Sequence, residues 1–227
     1  INDWQKHMSD RYYDKLFNAD GKLIFEFYRN KEFFEKLLGV NLDIDKPHLK
    51  LSQDQLNFKL PEKYAIIFIG ASSDSRKWSA KNFAKVGMHL KQKHGYEIVL
   101  CGAPKESADA LLFNRSFKGE FFDLVGKTSL VDLFYVINNA NLMLSNETSA
   151  PHIAVALDMK SVFVVSNGNH YGRFTPYPKE ITQDCHAVYP NEIKFYDFEK
   201  NKNNYGLGTN LDINQISPKS IIKKIDM

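Results

Sequence analysis

Residues 145–157 read S-N-E-T-S-A-P-H-I-A-V-A-L, a polar stretch that breaks directly into an apolar one and gathers Glu147, Thr148, Ser149 and His152 around the break. If a strand ends there and a helix begins, with Thr148 or Ser149 as its N-cap, unpaired backbone N–H groups and the positive end of the helix dipole face outward. That suits a phosphate or another anion. Capping alone would also account for the Thr and the Ser. The same grammar recurs at G-A-S-S-D-S-R-K-W-S from Gly70, which contributes Ser72, Arg76 and Lys77, at C-G-A-P-K-E from Cys101, and at Gly126-Lys127-Thr128. Loops so rich in Gly, Ser, Thr, Lys and Arg imply a phosphate-bearing ligand. No G-x-G-x-x-G or G-x-x-x-x-G-K-[ST] string follows any apolar run, which disfavours the dinucleotide fingerprint and the P-loop.

Such loops need strands and helices to hold them. Residues 64–69, 97–101, 121–125, 141–145 and 161–165 are short apolar runs that read as five strands. Between them lie helical patterns. One starts near Ala80 with Phe83, Gly87 and Leu90 on one face, and another is opened by Pro104. A third is capped by Ser129 with Asp132 three residues on, and has Leu130, Leu133, Phe134 and Ile137 as its stripe. The fourth carries Ile153, Ala156 and Leu157. Apolar strands alternating with amphipathic helices specify a doubly wound parallel α/β sheet, with its ligand beyond the carboxyl ends of the strands.

Two helical stripes precede the sheet, Trp4, Met8, Tyr12 and Leu16, then Phe27, Phe34, Leu37 and Leu38. They either pack on this domain or form the tail of a partner domain, since the chain opens on Ile1 and reads as a piece of something longer. The expected division is a helical segment over 1–50, a linker over 51–63 and the ligand-binding domain over 64–227. After Pro178 the periodicity fades and residues 189–214 read as surface chain. Ser217-Pro218 then opens a short C-terminal helix with Ile221, Ile222 and Ile225.

At 227 residues and 43% hydrophobic content the chain can bury one α/β core, and its net charge of +3 is too small to announce nucleic acid. The two cysteines, Cys101 and Cys185, lack metal-site spacing and form no disulfide framework, which fits a reducing cytoplasm. No apolar run is long enough to span a bilayer.

Together the motifs at Gly70, Cys101, Leu124 (L-V-G-K-T-S-L) and Ser145 resemble glycosyltransferase family 9, the heptosyltransferases, over about residues 60–178. The resemblance implies the C-terminal, Rossmann-like half of a two-domain GT-B enzyme. That half binds a nucleotide sugar, typically ADP-heptose, while the N-terminal half takes the lipopolysaccharide acceptor and supplies the base. On this basis Ser72, Arg76, Lys77, Thr148, Ser149 and His152 would bind the donor diphosphate. Gly102, Glu106, Gly126, Lys127 and Thr128 would hold the nucleoside, and Glu147, His170 and Arg173 the sugar. Tyr171 belongs with the last group, in the loop N-G-N-H-Y-G-R-F-T-P-Y-P from Asn167, which resembles one branch of the family.

Each role has a plain alternative. Arg76 and Lys77 could be a solvated loop pair, His152 a structural histidine, Glu106 a first-turn helix acid, and the 167–178 loop a rigid turn pinned by Phe174 and Tyr177. The family pattern Asp-Thr-Gly falls on Glu147, Thr148 and Ser149, and the two differences leave the donor sugar open.

The implied reaction is inverting transfer with neither cofactor nor metal, since no D-x-D triad falls in a strand-end loop and cations with helix N-termini would replace a divalent ion. The implied partners are the nucleotide-sugar donor, a glycolipid acceptor and the missing N-terminal domain. The place would be the cytoplasm, at the inner face of the inner membrane. A non-catalytic nucleotide-binding module and a GT-B-type epimerase are the competing readings. All of them require Arg76 and Thr148 to share one hollow.

Overall fold

The computed structural model describes residues 12–17, 21–52 and 58–227. Its centre is a six-stranded sheet in the order β3-β2-β1-β4-β5-β6, with every neighbouring pair parallel. The strands are β1 (Tyr64–Phe68), β2 (Glu97–Cys101), β3 (Phe122–Asp123), β4 (Leu142–Asn146), β5 (Val162–Val165) and β6 (Cys185–Val188). The helices are α1 (Glu26–Leu38), α2 (Ala80–His94), α3 (Ser107–Ser116), α4 (Leu130–Asn138), α5 (Ser149–Ala156), α6 (Phe198–Tyr205) and α7 (Pro218–Ile225).

Alternate residues of a strand point to opposite faces, and both faces of this sheet are covered, so the central strands must be apolar throughout. Ala65 and Ile67 of β1, with Ile98, Leu100, Leu142 and Leu144, pack on Phe83, Ala84, Val86 and Leu90 of α2, Phe113 of α3 and Ile221 of α7. Tyr64, Ile66 and Phe68, with Val99, Cys101 and Met143, pack on Val136 and Ile137 of α4 and Ala150 and Ala154 of α5. This is the doubly wound arrangement, and β1 beside β4 is where the strand order reverses.

Several sequence expectations shift. A sixth strand, β6, extends the sheet, and α6 and a 3₁₀ turn (Ile213–Gln215) punctuate the stretch read as surface chain. Ile193, Asn201 and Ile213 in that stretch are buried. The run 121–125 pairs only over Phe122–Asp123, as an exposed edge strand. In α4 the buried pair is Val136 and Ile137, while Leu130 is 64% exposed, because it occupies the first helical position and faces away from the sheet. In α5 the buried residues are Ala150, Pro151, Ala154 and Val155, so the expected stripe of Ile153, Ala156 and Leu157 lies toward the half-buried flank.

Trp4 and Met8 of the first expected helical stripe lie outside the described residues, and the backbone at Tyr12 and Leu16 is not helical. The second stripe is helical, as α1, yet this helix buries none of its residues. Phe34, Leu37 and Leu38 are exposed. It is anchored through its leading residue, since Phe25 packs with Val155, Tyr177 and Ile181. The described part of the 51–63 linker runs along the sheet's second core, where Phe58 and Leu60 pack.

Candidate functional site

The crevice beyond the carboxyl ends of β1 and β4 is where ligands sit in sheets of this order. Three devices build its walls. First, Asn146 at the tip of β4 donates from Nδ2 to the Ile69 carbonyl (2.9 Å) and accepts the Trp78 N–H at Oδ1 (2.9 Å), tying the β4 exit to the β1 exit loop. Second, Trp78 is buried and its Nε1 donates to the Ile216 carbonyl at 2.8 Å, so the loop is pinned from behind. Third, the Gly126 N–H donates to the Gly102 carbonyl at 2.9 Å, joining the β2 and β3 exits. Gly126 has φ +70°, and a Cβ there would stand 3.1 Å from the Pro104 Cα, so that join requires glycine.

Arg76 is bonded to Glu147, the residue before Thr148, so Arg76 and Thr148 stand at the same end of the sheet. Arg76 Nη2 donates to Glu147 Oε1 (2.9 Å) and to the Glu147 carbonyl (2.8 Å), and Nη1 donates to Ser72 Oγ (3.1 Å). Glu147 is 3% exposed, and its Oε2 accepts from Ser166 Oγ (2.5 Å) and Thr175 Oγ1 (2.7 Å). Both its oxygens are therefore committed within the protein. Thr148 is the N-cap of α5, with extended backbone, but its hydroxyl makes no capping bond. No side chain caps the helix start at Ser149 and Ala150, which is the condition for receiving an anion.

Lys77, the next residue after Arg76, turns to the other side of β1. Its Nζ lies 3.2 Å from Asp109 Oδ2, 3.5 Å from Asp74 Oδ1 and 3.9 Å from Glu106 Oε1. Desolvation works against its charge, but Asp109, Glu106 and Asp74 outweigh it and its pKa is raised. Glu106 is 1% exposed, and its Oε2 accepts the Ala103 N–H at 2.9 Å. Its Oε1 is buried without a hydrogen-bond partner. Lys105 Nζ, on a side chain 63% exposed, comes only to 3.7 Å. A buried carboxylate oxygen left unpaired carries a desolvation cost that a donor from a ligand would relieve. Lys127 instead turns back on its own strand, donating to the Asp123 carbonyl at 2.8 Å, and Thr128 is half-buried beside it.

His152 faces the N-terminal segment. Its Nδ1 shares a 2.5 Å hydrogen bond with the Tyr177 hydroxyl. Burial, and then the charge of Arg76, push its pKa down to about 4, so at neutral pH it is an uncharged ring. It lines a cavity of ≈ 240 Å³ with Phe25, Glu26, Arg173, Phe174 and Tyr177.

The 167–178 loop is a firmly bonded turn. Gly172 N–H donates to the Thr175 carbonyl (2.7 Å) and Arg173 N–H to the His170 carbonyl (2.9 Å). Arg173 Nε pairs with Glu26 Oε2 at 2.7 Å, and its guanidinium lies 4.8 Å over the Phe174 ring. Tyr171 is 2% exposed and so is withdrawn from any ligand, while His170 sits half-buried at the turn with φ 58°.

Sequence reasoning missed Asn146, Ser166, Thr175, Asp109 and Glu26. Nothing local marks them, since each acts through a partner distant in the chain.

The profile of glycosyltransferase family 9 (heptosyltransferase) matches residues 8–203. The chain belongs to this family. A curated family relative, lipopolysaccharide heptosyltransferase 1 of Salmonella typhimurium, is 25% identical over 137 residues, which is 59% of this chain and 42% of that protein. Two solved structures share the fold. A glycosyltransferase family 9 protein of Veillonella parvula superposes with TM-score 0.70 at 18% identity, covering 96% of this chain and 63% of that one. The E. coli heptosyltransferase WaaC with ADP gives TM-score 0.58 at 20% identity, covering 99% and 63%. The chain thus spans less than two thirds of these family members, and matches one half of their GT-B architecture.

Proposed function

We propose that this chain is the donor-binding half of a heptosyltransferase that moves a sugar from a nucleoside-diphosphate donor of the ADP-heptose type to a lipopolysaccharide core or related glycan, with inversion and without a metal. The observations that carry the reading are the buried Glu106 Oε1, which has no hydrogen bond, and the helix start of α5, which no side chain caps. Ribose hydroxyls supply the donors that Glu106 lacks, once the exposed Lys105 side chain swings aside. The first-turn N–H groups of α5 receive the diphosphate, with Arg76 and Lys77 as flanking positive charge. Loops at Gly102 and Gly126-Lys127-Thr128 line the base through backbone, and His170 and Arg173 stand nearest the sugar. The relative solved with ADP supports this choice of nucleotide.

The chemistry follows from charge. As the glycosidic bond to the diphosphate breaks, negative charge grows on the leaving group. N–H dipoles and cations already aimed there stabilise that state more than the ground state. His152 is too weak a base to deprotonate an acceptor hydroxyl, and the carboxylate of Glu147 is fully hydrogen-bonded. As the family resemblance implies, the base and the acceptor site would lie on the N-terminal half of the enzyme. A glycolipid acceptor would bring the protein to the cytoplasmic face of the inner membrane. Among the described residues, no helix is long and apolar enough to cross it.

Titration calorimetry with ADP, UDP and GDP tests the reading. Heat with ADP, weakened in Glu106→Gln, is the expected result, together with no sugar transfer by the chain alone. Absence of heat with all three nucleotides would overturn it.

A further inference from the structure

Three ligand-type side chains meet at the far end of the sheet from the crevice. α2 leaves the β1 tip at Ala80 and returns to the start of β2, so its last turns lie at the amino ends of the strands. There His89 Nε2 stands 3.1 Å and His94 Nε2 2.8 Å from Oδ1 of Asp226, the C-cap of α7. The three atoms lie within 4.8 Å of one another. Two ligand atoms bound to one first-row cation at about 2.0–2.2 Å are held about 3 Å apart, and the two His–Asp separations are already close to that. The second carboxylate oxygen, Oδ2, is taken by Lys93 Nζ at 2.6 Å, which fixes the carboxylate with Oδ1 toward the two rings.

We propose that His89, His94 and Asp226 bind one divalent cation of the zinc class and thereby staple α7 to α2. Two imidazoles and one monodentate carboxylate suit zinc and its late first-row neighbours better than magnesium or calcium, which demand more oxygen ligands. The side chains are partly exposed, so the ion enters from solvent, and water completes its shell. On binding, each Nε2 that carries a proton releases it and the ring nitrogen takes the metal. The consequence is mechanical. α7 is eight residues long and rests on the core chiefly through Ile221, with Ile222 and Ile225 beside it. A metal clasp at its end would hold it closed. The site lies away from the strand tips and so takes no part in transfer, which is consistent with a metal-independent donor site.

The test is calorimetric titration of chelator-treated protein with Zn²⁺, with Co²⁺ as a spectroscopic substitute. One equivalent should bind, the midpoint of thermal unfolding should rise, and Co²⁺ should show the visible absorption of a nitrogen-ligated site. His94→Gln and Asp226→Asn should each weaken binding by about 100-fold or more, and His186→Gln, a histidine elsewhere, should not. Circular dichroism checks that the variants remain folded. Failure of the wild type to bind, or undiminished affinity in His89→Gln and His94→Gln, would overturn the assignment.

Discussion

β1 has one neighbour on each side, and its exit loop sends Arg76 toward β4 and Lys77 toward β2, where the two cations meet opposite situations. On the β4 side every charged atom is matched. Arg76 meets both the carboxylate and the carbonyl of Glu147, and the remaining Glu147 oxygen takes two hydroxyls. On the β2 side Lys77 faces three carboxylates, and one of them, Glu106, keeps a buried oxygen without a hydrogen bond. The first arrangement is closed and holds the crevice in shape. The second is open and is where a ligand has something to gain. Two neighbouring basic residues, equivalent in sequence, therefore meet one closed and one open arrangement.

The largest effect should come from breaking the closed side. Glu147→Ala leaves the Arg76 guanidinium, 19% exposed, without its counter-charge and orphans the Ser166 and Thr175 hydroxyls. Removing one partner of a buried pair costs about 3–5 kcal/mol, and urea denaturation should show a loss of that order. A loss under about 1 kcal/mol, the worth of an exposed pair, would mean the network is not structural and Glu147 is available to a ligand after all.

A second probe of the same side uses pH. His152 is pushed down to about 4 by burial and by Arg76, whereas in the unfolded chain it titrates near its ordinary 6.5. The unfolded state therefore takes up the proton first, and stability falls as pH drops from about 6.5 toward about 4, by about 2–3 kcal/mol in total. Above that window His152 contributes no pH dependence. The difference between wild type and His152→Gln, followed by denaturation across this range, isolates the effect. Parallel curves would show that the ring protonates freely and could meet a phosphate as a cation.

On the open side the expected signature is binding rather than stability. Glu106→Gln keeps an acceptor for the Ala103 N–H and removes the charge, so folding should change little. ADP affinity should fall about tenfold or more through loss of charge-assisted bonds, which are worth about 1.5–3 kcal/mol. The reverse outcome, lost stability with affinity intact, would make Glu106 the first-turn acid that its place in the sequence also allows.

That ambiguity illustrates what a chain can disclose by itself. β1, β2, β4 and β5 were legible because a strand covered on both faces is apolar over most of its length. β6 was not, because C-H-A-V at the sheet's margin is only half-buried and carries no apolar run. The Gly- and Ser-rich loops at the strand exits were legible too, since loop composition is a local pattern. The Ser129–Asp132 capping box and the Ser217-Pro218 helix start are local in the same sense, and both form. What each polar side chain does was hidden, since Arg76 and Glu147 are 71 residues apart and Thr175 and Glu147 are 28 apart. Such partners are set by topology. The α5 stripe was misplaced for a related reason. That short helix is apolar along most of its length, so periodicity could not say which flank met the sheet.

The smallest predicted effect sharpens the comparison most finely. Lys105 and Lys77 both approach Glu106 Oε1, at 3.7 and 3.9 Å, but Lys105 is 63% exposed and Lys77 only 21%. An exposed ion pair at such a distance contributes about 0–1 kcal/mol, so Lys105→Ala should leave stability almost unchanged. If Lys105 merely covers the oxygen, its removal should leave ADP affinity equal or slightly improved, because the ligand then displaces nothing. Lys77→Ala should behave differently, since it strips the carboxylates of Asp109 and Glu106 of their shared cation and puts their repulsion directly against an incoming diphosphate. Side-by-side titration of the two variants decides the matter. Equal losses would assign both lysines to the phosphates, whereas a loss confined to Lys77→Ala would locate the working charge on the inner of the two.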